Sequence, residues 1–361
     1  MIEMLEPSSN ACMPPLSRRA LLSTLAASST SCLAGCNALS RDSHSPSTQS
    51  RNFGGNPLYI ADGVSLPEES DPVTVEGPTG GRLALFPPEL SDTAAPLRAL
   101  RGSTPVAIVG RDAQGALMDI CAADGRSYGF TSDSSRMGTH VAAAVPYGDS
   151  LATHRFEGRD LPRDLPQVVD EILNTPRFVC TVDTDLPSLP DEFDKRARTL
   201  GSAFIHGRTD VASFLRRDTV RVLPDADPVA IEVRLNGTIY GGGNMGGDGR
   251  YTADQVRLVV SFDNPVRATA PQDVETDEIE VRRDVDGQGG AVEHRFTPRS
   301  DEARRQFTAC QHSFVTASEL PDRFSYTANG RFRWRDNRFI REDDRWNHHT
   351  PGQAVWYPGL R

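Results

Sequence analysis

Between residues 58 and 145 the apolar positions come in short runs, and turn residues separate them. Gly80-Gly81 and Asp124-Gly125 are two such breaks. Short apolar runs at this spacing predict a small all-β barrel or sandwich over residues 57–150. The predicted strands are Val73–Val75, Arg82–Phe86, Pro105–Val109, Ala116–Cys121, Ser127–Phe130 and His140–Val145.

From residue 151 to 322 the pattern mixes helical and strand periods. The apolar residues of 165–173 recur at helical spacing, with Asp164 as a candidate cap, and further helices are predicted over 189–200, 209–215 and 300–314. Asn236-Gly237 predicts a hairpin turn. Because strands and helices do not alternate regularly, we expect a mixed α+β domain here and a β-rich α+β protein as a whole. The predicted strands are Phe178–Val182, Val229–Leu235, Val256–Phe262 and Ile279–Arg283.

Residues 1–35 have the pattern of an export signal. Arg18 and Arg19 precede a mild apolar stretch that is too short and too rich in Ser and Thr to span a bilayer. The arginine pair resembles the twin-arginine export signal. Leu-Ala-Gly-Cys at 33–36 resembles the lipoprotein box of bacterial and haloarchaeal lipoproteins. This resemblance implies that Cys36 carries a lipid and becomes the mature N-terminus; the alternative is an amphipathic N-terminal helix with a chance cysteine.

The lipoprotein resemblance implies a protein anchored on the extracytoplasmic face of the cell membrane. Residues 36–56 suit such an anchor, because they are rich in Ser, Asn and Gly and lack apolar periodicity, which is typical of a flexible tether. The formal net charge of −10 disfavours a general nucleic-acid-binding protein. Lys195 is the single lysine among 39 Lys and Arg residues, which suggests a high-GC genome.

Three cysteines follow Cys36: Cys121, Cys180 and Cys310. Since no two of them have Cys-x-x-Cys spacing, a zinc ribbon or finger is not expected. An extracytoplasmic setting permits one disulfide. Each cysteine also lies in an apolar setting, so the alternative is three small buried side chains.

Residues 71–133 contain Gly102 before an apolar strand, a second apolar run at 116–121, and Asp124-Gly125 before an aromatic strand. This order resembles a bacterial Src-homology-type-three domain. The family usually opens its second strand with Trp, where this chain has Ala116-Leu117-Met118.

Gly148-Asp149-Ser150-Leu151 follows an apolar run, and the four residues resemble the namesake motif of the GDSL esterase and lipase family. A serine on a tight turn after a strand is one way to expose a nucleophile. That family places an Asp three residues before its catalytic His, and no His here has one. Ser150 is therefore a candidate nucleophile for an alternative, esterase-like function, and the more economical interpretation is a surface turn.

Two glycine-containing loops are similar to known ligand-binding motifs. Residues 241–246 satisfy Gly-x-Gly-x-x-Gly, but a strand-like segment follows where a dinucleotide site needs a helix. Residues 284–290 look like a calcium loop, but Arg295 occupies the twelfth position, where an EF-hand needs a carboxylate. No cofactor and no metal site is predicted from these segments.

The C-terminal segment, residues 323–361, contains all three tryptophans, Trp334, Trp346 and Trp356, and eight arginines against four acids. Trp and Arg often anchor interfaces. The segment could bind a glycan, a protein or an anionic polymer, or its aromatic residues could close a small β core. His348 and His349 are adjacent, so on a strand they would point to opposite faces and could not easily share one metal. The sequence as a whole favours a binding or envelope-associated protein over an enzyme.

Overall fold

The computed structural model describes residues 53–132, 139–175, 178–184, 186, 193–208, 212–241, 251–337, 345–350 and 352–359. All of them belong to one compact unit, Ser45–Arg361. The predicted export signal with Arg18 and Arg19, the lipidation site Cys36 and most of the predicted tether lie outside the described residues. Within those residues, no helix combines the length and the apolar composition that a membrane crossing requires.

The first sheet has ten strands among the residues that the structure describes. In chain order they are β1 (Leu58–Ile60), β2 (Leu83–Phe86), β3 (Val106–Val109), β5 (Val141–Tyr147), β6 (Ser150–Glu157), β7 (Arg198–Arg208), β8 (Ser213–Leu223), β9 (Val229–Tyr240), β11 (Ala268–Ala270) and β15 (Gln306–Ala317). Their order in the sheet is β1-β2-β3-β5-β6-β7-β8-β9-β15-β11. The pairs β1–β2, β2–β3 and β6–β7 are parallel and the others antiparallel.

The second sheet is antiparallel. Its strands are β4 (Tyr128–Ser132), β10 (Tyr251–Ser261), β12 (Val274–Glu275), β13 (Ile279–Val285), β14 (Ala291–Pro298), β16 (Phe324–Asp336), β17 (Arg345–Thr350) and β18 (Gln353–Tyr357). The order is β12-β13-β14-β10-β16-β18-β4, and β17 also pairs with β16. Two large sheets accompanied by a few short helices confirm the β-rich α+β class. Among the described residues neither sheet closes on itself, so the barrel alternative is not confirmed.

The main core lies between the two sheets. Phe214 of β8 stacks on Phe332 of β16 with ring centroids 4.3 Å apart. This core also buries an ion pair, Arg216 Nη2 to Asp218 Oδ2 at 2.7 Å, with both side chains at most 2% exposed. The Arg216 guanidinium donates further to the carbonyl of Thr350, 3.0 Å away, which links β8 to β17. Two charges can remain in an apolar core because each is hydrogen-bonded to the other.

In the described part of the chain, five helices accompany the sheets: α1 (Ala94–Arg101), α2 (Ala113–Asp124), α3 (Leu165–Leu173), α4 (Phe193–Arg196) and α5 (Asp301–Arg305). The first two pack with Phe86, Ile108 and Tyr128 on one side of the first sheet. Helix α3 packs with Phe156 and Ala107 on the other side. Helix α5 begins after Ser300, whose hydroxyl accepts a hydrogen bond from the Ala303 amide, 3.0 Å away.

Residues 178–184 contact the first sheet from β8 to β15: the Arg217 guanidinium lies over the Phe178 ring, and the Thr181 amide donates to the carbonyl of Thr308, 3.2 Å away. A disulfide joins Cys180 to Cys310 of β15, with 5.7 Å between the Cα atoms. Thr184 Oγ1 lies 3.1 Å from His312 Nε2 on the same strand. Of the two alternatives for the cysteines, the structure therefore has one disulfide, and Cys121 is free and buried.

Several predicted elements differ from the structure. Ala116–Cys121 is part of helix α2, so the second strand expected from the Src-homology-type-three resemblance is a helix, and residues 57–150 are not all-β. Residues 213–215 belong to β8, residues 306–314 belong to β15, and only 193–196 are helical within the described part of 189–200. Residues 178–182 form no strand, and Asn236-Gly237 lies inside the continuous strand β9. Helix α3 is confirmed, but the Asp164 carboxylate accepts from the Asp160 amide and does not cap it.

The sheets also cross the predicted domain limits. The boundary at 150/151 falls at the first residue of β6. β18, from the C-terminal segment, pairs along its whole length with β4, from residues 57–150. The C-terminal segment is therefore part of the second sheet.

Candidate functional site

The tryptophans proposed as binding residues lie in the core. Trp334 and Trp356 are both 0% exposed. Trp334 Nε1 donates to the carbonyl of Tyr240, 2.8 Å away, and Trp356 Nε1 donates to the Tyr326 hydroxyl, 3.2 Å away. Neither can form an exposed binding surface in this structure, so the alternative that aromatic residues close a β core is correct for both. The side chain of Trp346 lies outside the described residues.

Ser150 is the first residue of β6, directly after the two-residue turn that follows β5. It is 3% exposed, and its hydroxyl donates to the carbonyl of Tyr147, 3.0 Å away. His154 is four residues along the same extended strand, roughly 13 Å away. Within the described residues no histidine or carboxylate side chain is hydrogen-bonded to Ser150, so the structure does not assemble a triad around it.

The structure also gives the contacts of the calcium-like loop and of the histidine pair. In the calcium-like loop Asp286 Oδ1 accepts from the Gly290 amide, 2.8 Å away, which is a hairpin-turn contact. His348 faces Glu157 of β6, with Nε2 to Oε2 at 3.2 Å, whereas His349 accepts from Arg331 on the other face. Across the described residues no three His, Cys, Asp or Glu side chains are grouped to hold a metal ion. Apart from Gly241, the loop 241–246 lies outside them.

The second sheet places arginines side by side on its outward face. Buried and accessible residues alternate over Gln255–Ser261 of β10, over all of β14 and over Tyr326–Asp336 of β16. In the antiparallel register, Arg257 of β10 lies directly opposite both Arg295 of β14 and Arg331 of β16. Arg282 of β13 lies opposite Arg295. Four arginines from four adjacent strands therefore form one row across the sheet.

The row is not evenly neutralised. At the β13 end, Arg282 Nε is 2.7 Å from Glu280 Oε1. Glu293 is shared between Arg295 and Arg257. Within the described residues Arg331 has no carboxylate partner and donates to the imidazole of His349 instead. The positive charge is therefore concentrated on β10 and β16.

Two further arginines continue this charge along β16. Arg333 and Arg335 face outward like Arg331, and both pair with a single carboxylate, that of Asp254. We call Arg257, Arg331, Arg333 and Arg335 the arginine face. It presents four guanidinium groups against two carboxylates, Asp254 and Glu293, in a protein of net charge −10.

The pKa of His349 is affected by the positive charge of the arginine face. Its pKa is lowered, first by burial and then by the charges of Arg331, His348 and Arg257. A neutral imidazole is what the hydrogen bond requires, because Nε2 must accept from the guanidinium of Arg331. His349 therefore orients Arg331 without neutralising it.

A second polar cluster lies between α3 and the first sheet. His154 Nδ1 is 3.0 Å from His206 Nε2, and His206 Nδ1 is 3.3 Å from Glu171 Oε2. Arg159 pairs with the same Glu171 oxygen at 2.7 Å. Burial lowers the pKa of both histidines, and the pKa of Glu171 is lowered because its bonds to His206 and Arg159 outweigh burial. Such a chain can hold a neutral imidazole in one tautomer, but no described hydroxyl or thiol is hydrogen-bonded to His154, so we assign it a structural role.

Sequence reasoning identified the arginine excess of the C-terminal segment but missed the row. Arg257 and Arg295 are far apart in the chain, and only the strand register places them beside Arg331. A local signal did exist, because Arg331, Arg333 and Arg335 alternate with Phe332 and Trp334, which is the pattern of a strand with one buried face.

Comparison with known proteins adds little. No protein-family model and no curated protein matches the sequence. One similar solved structure is described as "Pore forming protein"; it is 8% identical, the match covers 48% of this chain and 93% of that chain, and the TM-score is 0.26. A similarity of this size supports no conclusion about fold or function.

Proposed function

We propose that the protein is exported, tethered by a lipid on Cys36 to the extracytoplasmic face of the cell membrane, and binds an acidic polysaccharide there through its arginine face. The observation that carries the binding proposal is the pairing of Arg257 with Arg331, because two cations directly opposite each other cost stability unless an anion lies across them. Arg333 and Arg335 extend the same charged surface.

The ligand class follows from the chemistry of the face. A guanidinium group presents a planar fork of donors that matches carboxylate, sulfate and phosphate oxygens. Neighbouring arginines on opposite strands are about 5 Å apart at Cα, and those two residues apart on β16 are about 7 Å apart. A flexible chain with regularly repeated charges suits such a flat array. Nucleic acid suits it less, because the rest of the protein is acidic.

The export part of the proposal is supported by the disulfide between Cys180 and Cys310. Disulfides persist in oxidising, extracytoplasmic compartments and are rare in the cytosol. The Cys36→Ser variant should appear in the soluble fraction, because it lacks the thiol that carries the lipid, whereas wild type should sediment with membranes. Membrane association of the variant equal to that of wild type would contradict the anchor.

The binding part is tested with polymers that share one backbone. We expect the mature protein to bind dextran sulfate or carboxymethyl dextran and not dextran, and Arg331→Gln to weaken this binding. Arg98→Gln is the matched control, because Arg98 is an exposed arginine on α1, outside the second sheet. Binding to duplex DNA as tight as to the acidic dextrans, or equal effects of the two variants, would contradict the proposal.

A further inference from the structure

A cleft of about 350 Å³ lies at the end of the second sheet, where α5 leads from β14 to the first sheet. Its polar lining includes the acids Asp254 and Asp301. The other polar residues come from three strands, the helix and the residue after β16: Thr252, Thr297, Arg304, Arg305, Arg335 and Asn337. The volume is at the lower end of the range for small-molecule sites, which is roughly 300–1,000 Å³. The cleft therefore has room for one sugar unit but not for an oligomer.

The charges in the cleft leave an excess of cations. Asp301 lies 3.4 Å from Arg304, but its side chain is 91% exposed, so solvent weakens that pair. Asp254 is committed to Arg333 and Arg335. Within the described residues the Arg305 side chain has no ion pair and no hydrogen bond. An anion entering the cleft would meet the Arg305 guanidinium without displacing a carboxylate.

A β-bulge shapes the wall of this cleft. The pairing of β10 with β16 shifts between Ala253 and Gln255, so Asp254 is the extra residue. Bulges of this kind re-aim a side chain and often occur next to functional sites. Here the bulge places the Asp254 carboxylate between two guanidinium groups, with Oδ1 3.3 Å from Arg335 Nη2. The ion pair with Asp254 therefore holds the Arg335 guanidinium at the wall of the cleft.

The cleft is continuous with the arginine face. Arg335 belongs to both, and Thr297 lies on the same face of β14 as Arg295, two residues away. Thr252 donates its hydroxyl to Asn337 Oδ1, 3.1 Å away, which orders the polar rim. A polymer lying across the arginine face would reach the cleft about 13 Å along β16 from Arg331.

We propose that the cleft is a subsite for one acidic monosaccharide unit, whose oxyanion is held by Arg305 and Arg335 while Thr252, Thr297 and Asn337 contact its hydroxyl groups. This inference rests on the proposed function, since it names the unit of the polysaccharide that is recognised. The shared chemistry is a sugar carrying a carboxylate, sulfate or phosphate group.

The test is calorimetric titration of the mature protein with D-glucuronate, glucose 6-sulfate, glucose 6-phosphate and glucose. We expect saturable binding of at least one charged sugar, no binding of glucose, and a loss of about fivefold or more in affinity in Arg305→Gln. Arg299→Gln is the control, because Arg299 lies two residues beyond Thr297 on the same edge, outside the cleft, and pairs with Glu275. Whichever charged sugar binds best identifies the oxyanion.

The possible outcomes separate this inference from the proposed function. If acidic dextrans bind and Arg331→Gln weakens them, but no charged sugar binds or Arg305→Gln behaves like Arg299→Gln, the subsite is wrong and the arginine face stands. If a charged sugar binds in an Arg305-dependent manner while no acidic dextran binds, the subsite stands and the polymer is wrong. Equal binding of glucose and its charged derivatives would overturn the subsite.

Discussion

Arg257 and Arg331 are direct cross-strand partners on the outward face of the second sheet. Directly opposed like charges destabilise a sheet, typically by a few tenths of a kcal/mol to about 1 kcal/mol. Arg257 shares the Glu293 carboxylate with Arg295, and no described carboxylate pairs with Arg331. The repulsion between Arg257 and Arg331 therefore lowers the stability of the sheet. Functional sites often carry such a cost in stability.

The first prediction concerns the repulsion between Arg257 and Arg331. Arg331→Gln should leave the free energy of unfolding unchanged or raise it by up to about 1 kcal/mol, because it removes the repulsion from Arg257. The same variant should bind acidic dextran more weakly. Urea unfolding and a binding titration measure the two effects. A variant that loses stability and binding together would indicate that Arg331 only supports the fold.

The second prediction concerns the buried ion pair of Arg216 and Asp218. Burial raises the pKa of Asp218 against the opposing effect of Arg216, so the carboxylate depends on its partner to stay charged. Arg216→Met should cost about 3–5 kcal/mol, because it leaves a buried charge unpaired. The double variant Arg216→Met, Asp218→Leu should recover most of that loss in urea unfolding. A single variant as stable as wild type would show that the pair is not needed.

The third prediction concerns the Cys180–Cys310 disulfide, which links residues 130 positions apart. Replacing both cysteines with alanine should lower the free energy of unfolding by about 2–4 kcal/mol, since the crosslink restricts the unfolded chain. A reductant should destabilise wild type and have no further effect on the double variant. Among Cys121, Cys180 and Cys310, mass spectrometry of alkylated, unreduced protein after denaturation should find only Cys121 modified. Alkylation at all three sites would refute the disulfide.

The fourth prediction is a loss of stability in acid. Burial lowers the pKa of His294 to about 4, against an ordinary value near 6.5. The unfolded state therefore binds a proton at a higher pH than the folded state, and stability present above pH 6.5 is lost as the pH falls towards 4. The shift corresponds to about 3 kcal/mol. His154 and His206, whose pKa values are also lowered, contribute in the same direction.

Urea unfolding between pH 7 and pH 4 measures this loss. His294→Gln keeps a donor for the Pro271 carbonyl, which lies 2.7 Å from His294 Nε2, but cannot be protonated. The pH dependence of this variant should be shallower than that of wild type. Identical profiles for the two proteins would contradict a neutral, buried His294.

The sequence predicted elements well where alternation or helical spacing was unambiguous. Val256–Phe262 and Ile279–Arg283 correspond to β10 and β13, and the helix at 165–173 is present. The strand prediction failed at Ala116–Cys121, because a short run of Ala, Leu, Met and Ile is compatible with either a buried strand or a buried helix. Neighbouring Gly115 and Gly125 suggested turns, yet both are at or within the limits of a helix.

Asn236-Gly237 failed for a different reason. Gly237 does not form a turn; an added Cβ there would come within 3.1 Å of the Phe332 ring, so the glycine makes room for the facing sheet. A glycine at a close approach cannot be told from a turn glycine without the partner strand. The arginine face depends on the same kind of information, since the register that joins Arg257 to Arg331 is not encoded near either residue.

The most direct test of the account is the affinity of the mature protein for dextran sulfate across a salt series. If guanidinium groups carry the binding, affinity should fall steadily as salt rises, because exposed charges interact over about 10 Å at 0.1 M salt but only over about 3 Å at 1 M. The fall should be shallower in a variant with Arg331→Gln and Arg333→Gln than in wild type. An affinity that does not change with salt, or an identical dependence in the two proteins, would contradict the arginine face as the binding surface.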